Sequence, residues 1–168
     1  MTTSTGVTEQ MYLHSTLEGN PEFVHGRMVE RAMPTYSHAA WQLAIASCFL
    51  LHAKEWGVRS ATELHVQTGA GWRVPDVTIL DRKNPIEQRV VEHRPVAVFE
   101  VLSPDDRLHD LCEKLSEYTA LGIPQIWVVD PADGLFKRYI DDKLVPAVRF
   151  TYSSIDFAFD EIVSLLDI

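Results

Sequence analysis

The sequence has 168 residues, of which 46% are hydrophobic and 23% charged, and both fractions are ordinary for a soluble globular protein. Its formal net charge of -9 argues against a broad surface for nucleic acid, because such surfaces neutralise phosphates with clustered Lys and Arg. The two cysteines, Cys48 and Cys112, are far apart in the sequence, which argues against a disulfide framework or a thiolate zinc site and favours a reducing compartment.

The start of the chain is polar and lacks the apolar segment of a signal peptide. Residues up to about Thr8 are expected to be disordered. The longest apolar run, residues 44–51, is too short to span a bilayer, so we expect a cytoplasmic protein. No repeat, low-complexity segment or Pro/Gly-rich linker interrupts the sequence, which predicts a single domain over residues 1–168.

The N-terminal third predicts helices around one short hairpin. A short helix or turn is predicted over residues 9–17, followed by two short strands about a turn at His25-Gly26. Residues 36–56 carry apolar side chains at helical spacing, and the opposite side carries Leu43, Ala46 and Leu50. A helix that is apolar nearly all round is expected to lie centrally in the fold.

The middle of the chain predicts strands and a second long helix. Strands over residues 58–66 and 72–80 are joined by a turn, and Pro75 predicts an edge position or a bulge in the second. Residues 96–102 form a third strand. The next helix starts with Ser103 as N-cap and ends at Gly122. Its core stripe is Leu108, Leu111, Cys112, Leu115 and Tyr118.

The last part of the chain returns to strands. Residues 125–130 predict a buried strand, residues 135–140 and 144–148 a pair of late strands, and residues 160–166 a last helix. The strand–helix–strand pattern over residues 96–130 predicts a βαβ unit with parallel strands. The sum is an α/β fold with a mixed sheet flanked by helices.

Two acidic residues stand out in these strands. Glu100 shares a strand face with Val98, and a buried carboxylate needs a partner or a cation, although a structural salt bridge or exposure at the strand end is an equal alternative. Asp76 follows Pro75, a pair that alone more often marks a turn. If their strands are neighbours, about 4.8 Å apart, the two carboxylates can share one cation. Oxygen ligands favour Mg²⁺ or Mn²⁺ over zinc.

Lys114 lies on the helix that follows the Glu100 strand, at the border of its apolar stripe. Such a lysine is usually solvated, but it can also lay its stem on the sheet and direct its ammonium toward the carboxylates. Two acids, a divalent cation and an amine suit phosphodiester hydrolysis, since the metal polarises the phosphate and the amine stabilises developing charge.

Several segments together resemble the Uma2 family of the PD-(D/E)XK, restriction-endonuclease-like superfamily. They are RVPDV at residues 73–77, VFEVLSPDD at 98–106, Lys114, Tyr118 and GIPQIWVVDP at 122–131, with HGRMVER at 25–31 upstream. The resemblance implies a restriction-endonuclease-like fold, magnesium as cofactor, DNA as substrate and a homodimer. It also implies that Asp76 and Glu100 are the two motif acids and metal ligands.

One position departs from the superfamily pattern. That pattern has a lysine two residues after the second acid, where this sequence has Leu102. In the Uma2 family a lysine on the following helix stands in, which implies Lys114 as the third catalytic residue. The departure leaves open a non-catalytic dimeric or interaction protein that keeps the nuclease fold. A metal-dependent hydrolase of smaller phosphodiesters is a further alternative, because net charge is a smaller obstacle there.

Four residues are weaker candidates for the site. Glu63 could add a third carboxylate, because its strand is predicted to pair with that of Asp76. His38, near a helix start, is more often a capping or packing residue. Glu30 and Arg73 complete the set, although Glu30 can also simply form an ion pair with Arg27 or Arg31. Trp127, in a buried strand, is most simply a core residue.

Overall fold

The computed structural model describes residues 8–14, 18–86 and 90–166. Helix α1 spans Glu9–His14, and strands β1 (Glu22–Val24) and β2 (Arg27–Val29) form the predicted antiparallel hairpin. His25 and Gly26 make its turn, with φ of 49° and 75°. Disorder is expected up to about Thr8, and residues 1–7 of that segment lie outside the described ranges. The predicted end of the first helix, residues 15–17, lies outside them too.

Helix α2 (Tyr36–Leu51) is followed by the single-turn helix α3 (Ala53–Trp56), where one helix was predicted. Thr35 caps α2, because its hydroxyl accepts a hydrogen bond from the His38 amide. The prediction that α2 is central was wrong. Leu43 and Leu50 are 67% and 65% exposed, because the sheet covers only the opposite face of the helix, which carries Trp41, Ala44, Ile45, Cys48 and Phe49.

The two strands predicted over residues 58–66 and 72–80 are each split in two. They form β3 (Val58–Thr62), β4 (His65–Thr68), β5 (Gly71–Arg73) and β6 (Val77–Asp81). The first break lies at Glu63, whose φ is 54°, and the second at Pro75 and Asp76. Pro75 therefore marks neither an edge strand nor a bulge. It lies in the break between β5 and β6, where its missing N–H is not needed, and β6 lies inside its sheet.

The βαβ unit was predicted correctly, and its helix begins later than expected. After β7 (Val90–Val91) come β8 (Ala97–Val101), α4 (Leu108–Ala120) and β9 (Gln125–Asp130), with β8 and β9 parallel. The predicted N-cap Ser103 instead donates its amide to the Asp106 carboxylate at 2.7 Å, which closes an isolated turn. Arg107 then has extended backbone angles, so the helix starts after it.

The predicted core stripe of α4 is only partly buried. Leu115 and Tyr118 are fully buried on Val98 and Val128 of the sheet. Leu108 is 70% exposed and Cys112 is also exposed, because the later half of the helix already covers this face of the sheet. The helix ends as predicted.

The remaining elements complete one larger sheet and add one hairpin and a short helix. They are β10 (Leu135–Ile140), β11 (Lys143–Ala147), β12 (Arg149–Tyr152), β13 (Ile155–Ala158) and α5 (Asp160–Val163). The hairpin of β12 and β13 was not predicted, and α5 is shorter than the predicted helix. Within the described residues, no helix has both the length and the apolar character needed to cross a bilayer.

The sheet order positions the candidate residues. One sheet has the order β2-β1-β5-β4-β7, and the other, a mixed sheet, has the order β11-β10-β9-β8-β6-β3. Helix α2 packs on one face of the mixed sheet and α4 on the other. Because β6 and β8 are antiparallel neighbours, the strand that begins directly after Asp76 lies beside the strand that carries Glu100, as the shared-cation hypothesis requires. The predicted mixed α/β architecture is confirmed.

Candidate active site

Asp76 lies where the chain passes from the first sheet to the second. The bends at Glu63 and Asp76 coincide, because the Glu63 amide donates to the Asp76 carbonyl at 3.3 Å. The Asp76 carboxylate is 4% exposed, and its Oδ2 accepts a 2.7 Å hydrogen bond from the Val101 amide of β8. Gln42 of α2 donates to the Asp76 carbonyl at 2.9 Å. This carboxylate is therefore fixed against the end of β8.

Two cationic or titratable side chains contact the Asp76 carboxylate. Arg31 donates from Nη2 to Oδ1 at 2.7 Å, and His38 Nε2 lies 3.3 Å from Oδ2. Burial alone would raise the pKa of Asp76, but the hydrogen bond with His38 and the positive charges of Lys114, His38 and Arg31 hold that pKa below its usual range. The same hydrogen bond to Asp76 raises the pKa of His38. Asp76 is therefore an ionised carboxylate at neutral pH.

Glu100 lies on the face of β8 that α4 covers and is 6% exposed. Its Oε2 accepts a hydrogen bond from Lys114 Nζ at 2.9 Å, and its Oε1 accepts one from the Tyr118 hydroxyl at 2.8 Å. Burial raises the pKa of Glu100, the attraction of Lys114 opposes this rise, and the negative charges of Asp76 and Glu22 add to it, with a resulting pKa of about 7. The negative charge around Glu100 is therefore only partly neutralised by the cations of the cleft.

Lys114 is shared between Glu100 and a second buried acid, Glu22. Its Nζ lies 2.8 Å from Glu22 Oε1 and 3.3 Å from the Val74 carbonyl oxygen. Glu22, only 4% exposed, also accepts a 2.9 Å hydrogen bond from Arg73. Burial acts to lower the pKa of Lys114, yet the charges of Glu100 and Glu22 raise it above its ordinary value. The ammonium is therefore charged and fixed on the floor of the site.

The three predicted catalytic residues line one cleft of about 750 Å³. Asp76 enters from the bend before β6, Glu100 from β8 and Lys114 from α4. The structure brings these side chains together, although they are far apart in the sequence. Their catalytic roles stay predictions.

The weaker candidates lie at different distances from this centre. His38 contacts Asp76 directly, in addition to its backbone contact with the cap residue Thr35. Glu63, 41% exposed, reaches the site through Arg31, whose Nη1 lies 3.5 Å from Glu63 Oε1. Glu30 lines the cleft. Arg73 is buried in an ion-pair network with Glu22 and Glu117.

Three side chains at the centre were missed or misread from the sequence. Glu22 begins a three-residue strand, a position where an acid is usually solvent-exposed, so no local signal identified it. Arg31 lies in the loop before α2 and was considered only as a partner of Glu30. Tyr118 was read as a core residue, although its place four residues after Lys114 puts both on one helix face, a signal that could have revealed its role.

The acidic residues fit a hard divalent cation. A carboxylate oxygen can accept two hydrogen bonds, and within the described residues Asp76 Oδ1 and each Glu100 oxygen accept one. Spare acceptor capacity on two acids that line one cleft, together with the raised pKa of Glu100, matches the oxygen ligands that Mg²⁺ and Mn²⁺ prefer. Asp76 and Glu100 could therefore hold such an ion.

A second acidic group, outside this cleft, is a poorer fit. Among the described residues, His25, Glu113 and Glu117 have ligand atoms within 4.8 Å of one another. Both carboxylate oxygens of Glu117 are already hydrogen-bonded by Arg73, and one of them also by Thr68. Glu117 Oε2 therefore has no acceptor capacity left, and His25 and Glu113 are exposed, whereas Asp76 and Glu100 are buried.

The cleft is acidic overall. Its described lining includes four basic and eight acidic side chains. The basic ones are Arg31, Arg73, Arg107 and Lys114, and the acidic ones are Glu22, Glu30, Glu63, Asp76, Glu100, Asp105, Asp106 and Asp110. A polyanion can approach such a cleft only where cations neutralise these acids.

Comparisons with known proteins identify the family and the fold. The model of the Uma2 family, described as "putative restriction endonuclease", matches residues 9–155. The crystal structure of a "putative nuclease belonging to DUF820" from Anabaena variabilis ATCC 29413 is similar with a TM-score of 0.79 and 19% identity, over 95% of this chain and 99% of that chain. This similarity confirms the restriction-endonuclease-like fold.

Two further comparisons are less informative. A cryo-EM structure of a DrdV–DNA complex matches 74% of this chain and 11% of that chain, with 18% identity and a TM-score of 0.42. No curated protein matches the sequence significantly.

Proposed function

Because the chain belongs to the Uma2 family of restriction-endonuclease-like proteins, we propose that it is a metal-dependent endonuclease that hydrolyses DNA phosphodiester bonds. One observation carries the proposal. Asp76, Glu100 and Lys114, which the family resemblance implicates, line the same cleft. A purely structural salt bridge between Lys114 and Glu100 would not need Asp76 as a second buried acid in the same cleft. Nor would it need spare acceptor capacity on both carboxylates.

Each residue has a distinct role in this proposal. Asp76 and Glu100 hold Mg²⁺ or Mn²⁺, which supplies Lewis-acid polarisation of the phosphate and hydroxide near neutral pH. Lys114, whose Nζ lies 2.9 Å from Glu100, stabilises negative charge that develops on the phosphate. Tyr118 and the Val101 amide orient the two carboxylates by hydrogen bonds. Glu22 holds the Lys114 ammonium from its other side.

DNA is the proposed substrate, and its contact with the protein is local. The net charge of -9 and the acidic cleft give no broad basic surface, so divalent cations bound at the site would have to contact the phosphates, together with the exposed Arg107. We therefore expect weak DNA binding in the absence of metal.

We further propose that the protein is a homodimer that pairs through α2. Tyr36, Leu43 and Leu50 repeat at seven-residue spacing along one face of the helix and are 80%, 67% and 65% exposed. The helix contains no Asp, Glu, Lys or Arg, so a second copy can approach it without like charges meeting, although the molecule as a whole is acidic. His38, which contacts Asp76, lies on the opposite face, so pairing leaves the cleft open.

The setting that we propose follows the sequence predictions. Cys48 and Cys112 are free thiols, in keeping with a reducing, cytoplasmic location. The whole chain is proposed to form one nuclease domain, of which the family match covers residues 9–155.

Cleavage assays test the proposed activity. Supercoiled plasmid and single-stranded DNA would be incubated with the protein and Mg²⁺ or Mn²⁺, beside Asp76→Asn, Glu100→Gln and Lys114→Met. Each variant is expected to lose roughly 100-fold or more of the rate, because Asp76→Asn and Glu100→Gln weaken the metal site and Lys114→Met removes the cation that stabilises the developing charge. Lys54→Met, a change at an exposed lysine of α3, is the matched control and should keep the wild-type rate.

Three results would contradict the proposal in different ways. Cleavage that persists in Asp76→Asn and Glu100→Gln would show that another site or a contaminant is responsible. Absence of cleavage with every metal, together with no metal binding by calorimetry, would favour a non-catalytic protein on this fold. Turnover only of bis(p-nitrophenyl) phosphate would favour a hydrolase of small phosphodiesters.

A further inference from the structure

Arg31 is the basic side chain that contacts Asp76 from the mouth of the cleft. Its Nη2 lies 2.7 Å from Asp76 Oδ1, and its Nη1 lies 3.5 Å from Glu63 Oε1. The residue belongs to the segment 30–35, which lies between β2 and α2 and has no helix or strand structure. Its neighbours in that segment are exposed, whereas the Arg31 side chain is only 17% exposed. Its position thus depends on its carboxylate partners.

The other two cleft cations that contact buried acids are held differently. Arg73 lies in β5 and donates hydrogen bonds to both Glu22 and Glu117. Lys114 lies on α4, and its ammonium also contacts the Val74 carbonyl. A regular element fixes the backbone of each. In the described part of the chain, the polar side-chain contacts of Arg31 are with Asp76 and Glu63 alone, so Arg31 is the cation that can leave with least disturbance.

The same acids attract Arg31 and would attract a divalent cation. Burial acts to lower the pKa of Arg31, but the negative charges of Asp76, Glu100, Glu63 and Glu22 raise it, so its guanidinium is held by the whole acidic cluster. A divalent ion between Asp76 and Glu100 would neutralise two of these charges and would repel a guanidinium at contact distance. The two cations therefore compete for Asp76.

We propose that Arg31 is a displaceable counter-ion of Asp76, which occupies this carboxylate in the metal-free protein and which a divalent cation must move aside in order to bind. The inference rests on the proposed function, because it takes Asp76 as a metal ligand. Arg31 thereby sets the metal affinity of the site and keeps buried Asp76 neutralised until metal arrives.

Calorimetric titration with Mn²⁺, without DNA, tests the inference. Arg31→Gln removes the competing charge and is expected to bind Mn²⁺ at least about tenfold more tightly than the wild type. Arg31→Lys keeps the charge and should stay near the wild-type affinity. Arg27→Gln is the matched control, because it removes an exposed arginine from the neighbouring strand β2. This variant should change the Mn²⁺ affinity by less than about twofold.

A thermal melt accompanies each titration, because Arg31→Gln leaves Asp76 with one fewer partner. The increase in melting temperature on adding Mn²⁺ should be larger for Arg31→Gln than for the wild type, as tighter binding to the folded state requires. Unchanged or weaker Mn²⁺ binding by Arg31→Gln would overturn the inference, and so would equal tightening in Arg31→Lys.

The two proposals fail in distinguishable ways. Mn²⁺ binding that Asp76→Asn abolishes but Arg31→Gln does not tighten would reject only the role of Arg31. Absence of Mn²⁺ binding in the wild type and in every variant would reject both the metal-dependent function and this inference.

Discussion

Glu100 illustrates how much a single residue depends on its surroundings. The side chain is almost completely buried, and its two oxygens accept hydrogen bonds from Lys114 and Tyr118. These donors favour the ionised form, yet burial and the charges of Asp76 and Glu22 still raise its pKa to about 7. In the metal-free protein, ionisation of Glu100 near neutral pH therefore lowers the free energy of unfolding.

The stability of the metal-free protein should therefore fall as the pH rises from about 4.5 to 7. Between these values the folded protein holds a proton on Glu100 that the unfolded chain has released, and the shift corresponds to about 3 kcal/mol. The stabilising contribution of this proton is complete below the pKa of Glu100 in the unfolded chain. It is lost as the pH rises through the pKa of Glu100 in the folded protein. Glu100→Gln should remove this part of the pH dependence, as measured by urea unfolding in a chelator from pH 5 to 8.

The comparison between variant and wild type isolates Glu100. His38 also has a raised pKa, so its contribution to stability is present below its unfolded pKa and is likewise lost as the pH rises, but it is present in both proteins. Glu18→Gln, in an exposed turn, is expected to keep the wild-type profile. Parallel profiles for wild type and Glu100→Gln would show that Glu100 is ionised over this whole range.

At the scale of secondary structure, the short strands β1 and β5 position Glu22 beside Lys114. Strand β1 carries Glu22 and pairs with β5, where Val24 lies opposite Gly71. A Cβ atom on Gly71 would lie 2.0 Å from the Phe23 carbonyl oxygen, and its φ is 142°, so only glycine allows this approach of the two strands. The contact that brings Glu22 to Lys114 thus depends on a glycine in the neighbouring strand β5.

Gly71→Ala should destabilise the protein by about 2 kcal/mol or more, because backbone rather than a movable side chain blocks the added methyl group. Urea unfolding followed by circular dichroism measures the change. Gly69→Ala, in the same turn, is the matched control, since its Cβ would meet nothing within 4 Å. Similar losses in the two variants would contradict the role of the close approach.

On the scale of the whole molecule, charge and exposed apolar surface are separated. The chain has a formal net charge of -9, and the cleft is lined by an excess of acids, whereas α2 presents an uncharged apolar face on the other side of the helix from His38. Two acidic copies repel each other at most orientations. The uncharged face is where this repulsion is weakest and where apolar burial can outweigh it.

Leu43→Glu should convert the proposed homodimer to a monomer, because pairing through α2 would bury the two introduced charges against each other. Light scattering coupled to gel filtration measures the mass of each variant. Leu108→Glu changes a leucine of α4 that is 70% exposed and should leave the dimer intact. A wild type that is monomeric at every concentration measured, or a dimer lost equally in both variants, would contradict pairing through α2.

Local pattern identified most elements but not their limits. The hairpin at His25-Gly26, the βαβ unit and the end of α4 at Gly122 follow from turn residues and periodicity, which neighbouring residues determine. The start of α4 was misplaced, because the turn closed by Ser103 and Asp106 does not continue into the helix: Arg107 has extended backbone angles, which local preference did not reveal.

The sequence by itself determined the mixed α/β class, the βαβ unit and the identity of Asp76, Glu100 and Lys114 as candidates, because hydrophobic periodicity and a specific motif are local properties of the chain. Only the tertiary structure decided that Glu22 and Arg31 join these residues and that one face of α2 remains exposed. Contacts between segments far apart in sequence produce both results, since burial and ion pairing depend on which strands become neighbours.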